Sequence, residues 1–172
     1  MSQLTNIPLA YRLFFLYIEP ISALVGAFYA GWQPAQYLAY LSTSPSSEFP
    51  AAPNANPSPD TPTLISLQQL ANLYVLFALN EHFVLSSTAS LRTWRALLAG
   101  LLVADLGHLL TMVPLARERE AGFWEVFGRF WAWDAMLWGS VGFVYAGATM
   151  RTTFLLGMGV RDDQMGEDKK EK

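Results

Sequence analysis

Four long apolar stretches, separated by polar or proline-rich segments, set the layout of the chain at roughly 9–32, 64–87, 93–114 and 130–156. About 20 consecutive apolar residues suffice to cross the hydrocarbon core of a bilayer, so each stretch predicts a membrane-spanning helix. The third, TWRALLAGLLVADLGHLLTMVP, is interrupted only by Asp105 and His108, whose spacing of three puts them on one helix face. The first carries Glu19 and Pro20 near its middle. Proline removes a backbone hydrogen bond and disturbs the carbonyl four residues back, which predicts a kink there. Gly26, Ala27, Ala30 and Gly31 then allow a neighbouring helix to approach closely. The second stretch, with Gln68, Gln69, Asn72, Asn80, Glu81 and His82, is the most polar and is expected to be central and covered by protein. In the fourth, Asp134 lies one turn in, between Trp131 and Trp138, followed by the small residues Gly139, Gly142, Ala146 and Gly147.

The intervening segments read differently. Residues 33–63 hold seven prolines among Ser, Ala and Asn and are expected to form a loop, with a short interfacial turn at 36–41. Pro114 is expected to end the third helix, ARERE (116–120) to be a solvated charge run, and GFWEVFGRFWAW (122–133) to be an aromatic interfacial turn. Residues 159–172 form a charged, solvated tail. The fold class implied is all-α, an integral membrane four-helix bundle over residues 1–158.

Composition agrees with this picture: 52% of the 172 residues are hydrophobic and only 15% are charged. The net charge of −3 and the scattered basic residues give no footprint for nucleic acid. Cysteine is absent, which excludes disulfides and thiolate chemistry. Two histidines without cysteine make a structural zinc site implausible, and neither metal nor cofactor is assigned. Pro8 and Arg12 lie before the first apolar run with no small-residue cleavage site after a short core, so that run reads as a retained span.

With four spans, both termini and the short link near Arg92 fall on one side. That side holds Arg12, Arg92, Arg95, Arg151, Arg161, Lys169, Lys170 and Lys172, against Arg117, Arg119 and Arg129 on the other. Eight against three predicts cytoplasmic termini, with the endoplasmic reticulum the expected membrane. At about 1.5 Å per residue, Glu81, Glu19, Asp105, His108 and Asp134 come out roughly 10, 14, 17, 21 and 27 Å from the cytoplasmic end, a ladder lining a polar cleft.

Carboxylates crowded into a low-dielectric site cannot all ionise cheaply, so a proton-bearing acid and an ionised base can coexist there. That is the equipment for acid/base chemistry on an apolar substrate. Asp105, His108, Asp134, Glu81 and Glu19 are the candidate catalytic groups. Asn72, Tyr74, Trp131 and Trp138 are the candidates for substrate binding, the tryptophans through their π faces. Each has a plainer reading beside it. Asp105 and His108 can be a structural pair, Glu81 and His82 can snorkel, Glu19 can cap groups freed by Pro20, Asp134 can start a helix, and the tryptophans can anchor in the interface.

Four spans with acids and a histidine directed at one cavity, plus tryptophans, resemble the EXPERA superfamily of sterol isomerases and sigma-2-type receptors. A tyrosine-rich first span with an acid, Glu19, and a late span with Asp134 beside tryptophans resemble the membrane-bound cyclases and epoxide-opening enzymes of fungal terpenoid and polyketide pathways. Both likenesses are architectural. The leading expectation is an intramembrane acid/base enzyme that opens an epoxide with water or an internal hydroxyl on a hydrophobic isoprenoid, sterol or polyketide. In that scheme Asp134 or Asp105 protonates the oxirane, and the other, oriented by His108, activates the nucleophile. The alternatives are double-bond isomerisation, a non-enzymatic lipid- or sterol-binding module, and proton or ion translocation. Expected partners are a hydrophobic small molecule and membrane lipid, with a homo-oligomer left open.

Overall fold

The computed structural model describes residues 7–41, 59–119 and 122–160, which form helices joined by turns and short irregular links, with no strand among them. Helix α1 spans Leu9–Trp32. It contains one π turn, Phe14–Ile18, and the cause is local: Pro20 has no N–H for the Leu16 carbonyl four residues back. Just before it, the Glu19 N–H reaches the Phe14 carbonyl, five residues back. Helix α2, Pro34–Leu41, gives two turns of regular structure where a loop with a brief turn is expected. A Tyr29–Tyr40 ring contact ties it to α1, and within it Gln36 Nε2 donates to the Tyr40 hydroxyl at 3.0 Å. The remainder of the proline-rich segment, 42–58, and the tail beyond 160 lie outside the described residues.

Helix α3 spans Thr61–Ser87, starting at Thr61-Pro62, where a proline costs nothing because first-turn N–H groups have no partner anyway. Asp60 precedes it, exposed, and a hydrogen bond from the Thr63 hydroxyl holds its carboxyl below the ordinary value. Helix α4 spans Leu91–Glu118. Its first turn is capped by Ser90, which accepts from Thr93 N–H, and the Trp94 indole donates to the Thr88 carbonyl at 3.0 Å, fixing the short link. Pro114 does not end this helix. The helix breaks for one residue at Met112 and resumes over Val113–Glu118, with Pro114 in the new first turn. Helix α5, Gly122–Phe127, packs back on that last segment. Helix α6 covers 135–155 and contains a second π turn, Trp138–Gly142. It begins later than its apolar run because Phe130–Ala132 is a 3₁₀ turn and Asp134 caps the first α-turn.

Helix α1 packs along α3, and α4 packs along α6. One apolar cluster joins Tyr11, Phe15, Leu85, Trp94, Leu98 and Phe154; a second joins Met112, Leu115, Ala116, Val126, Leu137 and Val141. The burial pattern is inverted relative to a water-soluble domain. Glu19, Glu81, Asp105 and Arg151 are buried, whereas Val103 and Leu110 are each 70% exposed and Ile21, Phe28, Leu73 and Leu106 also face outward. Among the described residues three helices, α1, α3 and α4, are long and apolar enough to cross a membrane. Helix α6, with Thr149, Arg151, Thr152 and Thr153 in its second half, is not one of the three.

Helix α3 is less covered than its polarity suggested. Gln68, Gln69, Asn72 and Asn80 are exposed, and the covered stripe is Leu67, Ala78, Glu81 and Leu85. The polar side chains alternate with this stripe, so turning Glu81 inward turns the amides outward.

Candidate functional site: a buried arginine holding three carboxyls

Each charged residue in the interior stands one or two turns from a residue of the first apolar cluster, on the same face of its helix. Glu19 follows Phe15 by four, Glu81 precedes Leu85 by four, Asp105 follows Leu98 by seven, and Arg151 precedes Phe154 by three. Closing that apolar cluster therefore carries the four charges together. Arg151 is fully buried and donates from Nη1 to Asp105 Oδ2 at 2.6 Å. Its Nη2 donates to Glu19 Oε1 at 2.6 Å and to Glu81 Oε1 at 3.4 Å. The guanidinium carbon lies 5.7 Å from the Phe15 ring centroid and 6.0 Å from that of Phe77, so aromatic faces cover it where no carboxylate does.

Helical side chains lean toward the N-terminus of their helix, so Arg151 reaches back over the preceding turn. Gly147 makes that possible. A Cβ there would stand 2.7 Å from Arg151 Nη1 and 3.1 Å from Glu19 Oε1.

Three of the five acid/base candidates thus form a ring around one cation, not a ladder. Their long side chains, and the reach of arginine, absorb the differences in depth that backbone position predicts. The Glu81 carboxyl is fully buried and does not snorkel. Arg151 is the residue that the sequence reading counted only as a charge at the cytoplasmic side. Two signals pointed to it: it stands inside the fourth apolar stretch, and three acids at similar depth require a cation.

His108 and Asp134 are elsewhere. His108 Nε2 donates to the Ser140 carbonyl at 3.0 Å, within the π turn of α6. A carbonyl only accepts, so Nε2 carries the hydrogen. His82 does the matching job, with Nδ1 donating at 2.7 Å to the Leu16 carbonyl, the group that Pro20 leaves without its ordinary donor. It is this histidine, and not Glu19, that satisfies the proline defect. Asp134 is exposed and accepts the Leu137 N–H at Oδ1, 2.8 Å, as a helix cap.

Of the candidate binding residues, Asn72 is exposed on α3. Tyr74 is half-buried, its ring against Gly26 and its hydroxyl within reach of Tyr37 on α2. Trp131 and Trp138 are both exposed, the first against Trp124 and Phe130, the second against Trp133. A shallow apolar groove of about 330 Å³ runs along α6, lined by Trp138, Gly139, Gly142, Phe143 and Ala146, and none of the four cluster charges lines it.

Fold and site together define an all-helical protein with three membrane-length helices and a buried arginine–carboxyl cluster drawn from four helices. Residues 4–161 match the family described as "Domain of unknown function (DUF7704)", nearly the whole chain, and the protein belongs to that family. No curated protein and no solved structure matches it.

Proposed function

We propose that this protein is a four-span integral membrane protein whose Arg151 cluster is an acid/base centre for a hydrophobic substrate. The observation that carries the reading is that three carboxyls share one guanidinium inside an apolar bundle. Three carboxylates and one guanidinium sum to −2, a charge that a low-dielectric interior opposes, so proton-bearing and ionised carboxyls coexist around Arg151. Coexisting acid and base suit the opening of an epoxide without a redox step. One carboxylic acid gives its proton to the oxirane oxygen as the C–O bond breaks, and an ionised carboxylate takes the proton from the attacking water or internal hydroxyl. Asp105 and Glu19, which keep slight exposure, stand at the edge of the cluster where such a substrate would meet it. His108 and Asp134 have no part in this version, because both are engaged with backbone.

In this reading α6 completes the bundle despite its lower hydropathy, because Arg151 is neutralised by its neighbours and never meets lipid. Removing Arg151 from the loop-charge comparison leaves seven basic residues on the side of the termini against three, which still favours cytoplasmic termini in the endoplasmic reticulum membrane.

The seal over Glu81 and Arg151, both without solvent exposure, favours a second reading: a non-enzymatic module that the cluster holds together and that binds lipid along its outer surface. Comparing lipophilic extracts of cells with and without the protein separates the two. The enzyme reading expects a precursor that accumulates without the protein and with Asp105→Asn or Glu81→Gln, and that is consumed with wild type and with Asp134→Asn. Identical extracts with and without the protein overturn it, and a lipid retained through purification then supports the module.

A further inference from the structure

The Nη groups of Arg151 reach one oxygen of each glutamate, and its buried Nε–H has no acceptor. Nη2 serves Glu19 Oε1 and Glu81 Oε1, and Nη1 serves Asp105. The second oxygens, Glu19 Oε2 and Glu81 Oε2, are both buried with no donor from the protein. Both Oε1 atoms accept from the same Nη2, which holds the two carboxyls side by side. Two carboxylates side by side, each with a buried oxygen to which no protein group donates, are an arrangement that native interiors do not sustain. One hydrogen ion between them supplies the missing donor.

We infer that Glu19 and Glu81 carry one proton between them, a carboxylic acid–carboxylate pair buried at the contact of α1 and α3. The pair goes beyond the proposed activity, since it concerns the resting charge of the bundle and stands whether or not a substrate is turned over. The charged groups that face it are Arg151 from α6 and Asp105 from α4, which shares that guanidinium. His82, next to Glu81 in sequence, is turned to the Leu16 carbonyl. With one proton bound, the cluster's formal charge falls from −2 to −1. Arg151 neutralises Asp105, and the remaining negative charge is shared by the glutamates, both of whose Oε1 atoms also accept from Arg151. An acid–base pair of this kind is a proton store in which either partner can be the donor.

The inference is tested by infrared spectroscopy of the full chain in lipid nanodiscs at neutral pH, in H₂O and D₂O. The wild type is expected to show the carbonyl stretch of a protonated carboxyl, shifted by deuteration. Glu19→Gln and Glu81→Gln are each expected to lose it, because the glutamine amide donates to the remaining carboxylate. Both variants are expected to keep the helical circular dichroism of the wild type, whereas Glu81→Ala, which supplies no donor, lowers the unfolding temperature. Absence of the band in the wild type overturns the inference by itself, whatever the variants do. A band that persists in both glutamine variants assigns the proton to another carboxyl and overturns it equally.

Discussion

Arg151 changes what each acid around it can do. Alone, Glu19, Glu81 and Asp105 would each face a desolvation cost of several kcal/mol inside the bundle. Around one guanidinium they compete for a limited positive charge, and that competition makes the site able to bind protons. The space for the arginine is equally specific. Gly147→Ala puts a methyl group against Nη1 and Glu19 Oε1, and it is expected to cost about 1–3 kcal/mol by overpacking. Thermal unfolding in detergent measures this. Gly100→Ala, where a Cβ meets nothing, is the control and should hold or raise the midpoint, since alanine favours the helix over glycine. At this scale the sequence was partly legible. Glu19, Glu81 and Asp105 stood out because an ionisable group in an apolar run is costly. Arg151 did not, because an arginine a few residues from the end of an apolar run ordinarily serves as a loop charge. Asp134 and His108 looked equivalent to the buried acids because sequence depth does not distinguish a helix cap, or a histidine bonded to backbone, from an interior titratable group.

Two helices carry π turns, and each is met by a histidine from the partner with which it packs: His82 of α3 at the turn in α1, and His108 of α4 at the turn in α6. A π turn displaces the main-chain donors and opens a carbonyl to a side chain, and a neutral imidazole supplies one N–H at the right reach. For α1 the cause is written in Pro20. Pro20→Ala restores a donor for the Leu16 carbonyl, which makes His82 redundant there. His82→Ala is therefore expected to cost about 1 kcal/mol in the wild type and clearly less in the Pro20→Ala background, a coupling read by a double-mutant cycle. Equal costs in both backgrounds would sever the link between the histidine and the proline defect. A backbone disturbance, here a π turn, was foreseeable from Glu19-Pro20; its histidine partner was not, because the pairing spans 66 residues. The π turn of α6 has no proline, and its WGSVG run gave no comparable signal. The helix starts at Thr61-Pro62 and after Asp134 suit a first-turn proline and an aspartate cap, and they differ from the bounds of 64 and 130 that hydropathy set.

On the scale of the whole molecule, charges inside and aliphatic side chains outside suit a protein that hydrocarbon surrounds. The absence of cysteine makes the proposed orientation easy to test. Single cysteines introduced as Ser46→Cys in the proline-rich segment and Gln164→Cys in the tail are expected to react with an impermeant maleimide from opposite sides of a sealed microsome, Gln164→Cys from the cytosolic side. Labelling of both from one side would refute the four-span arrangement. The apolar layout, the polar character of the interior and the identity of three of its acids were visible in the order of residues. What joins them was not, since it depends on which faces four separate helices turn toward each other. The central claim is that Arg151 binds three carboxyls and thereby holds the four helices together, and the unfolding midpoint of Arg151→Met tests it most directly. The variant leaves buried carboxyls without their cation and is predicted to lose about 3–5 kcal/mol, whereas combining it with Glu19→Gln, Glu81→Gln and Asp105→Asn should recover most of that loss. An Arg151→Met protein as stable as the wild type would contradict it.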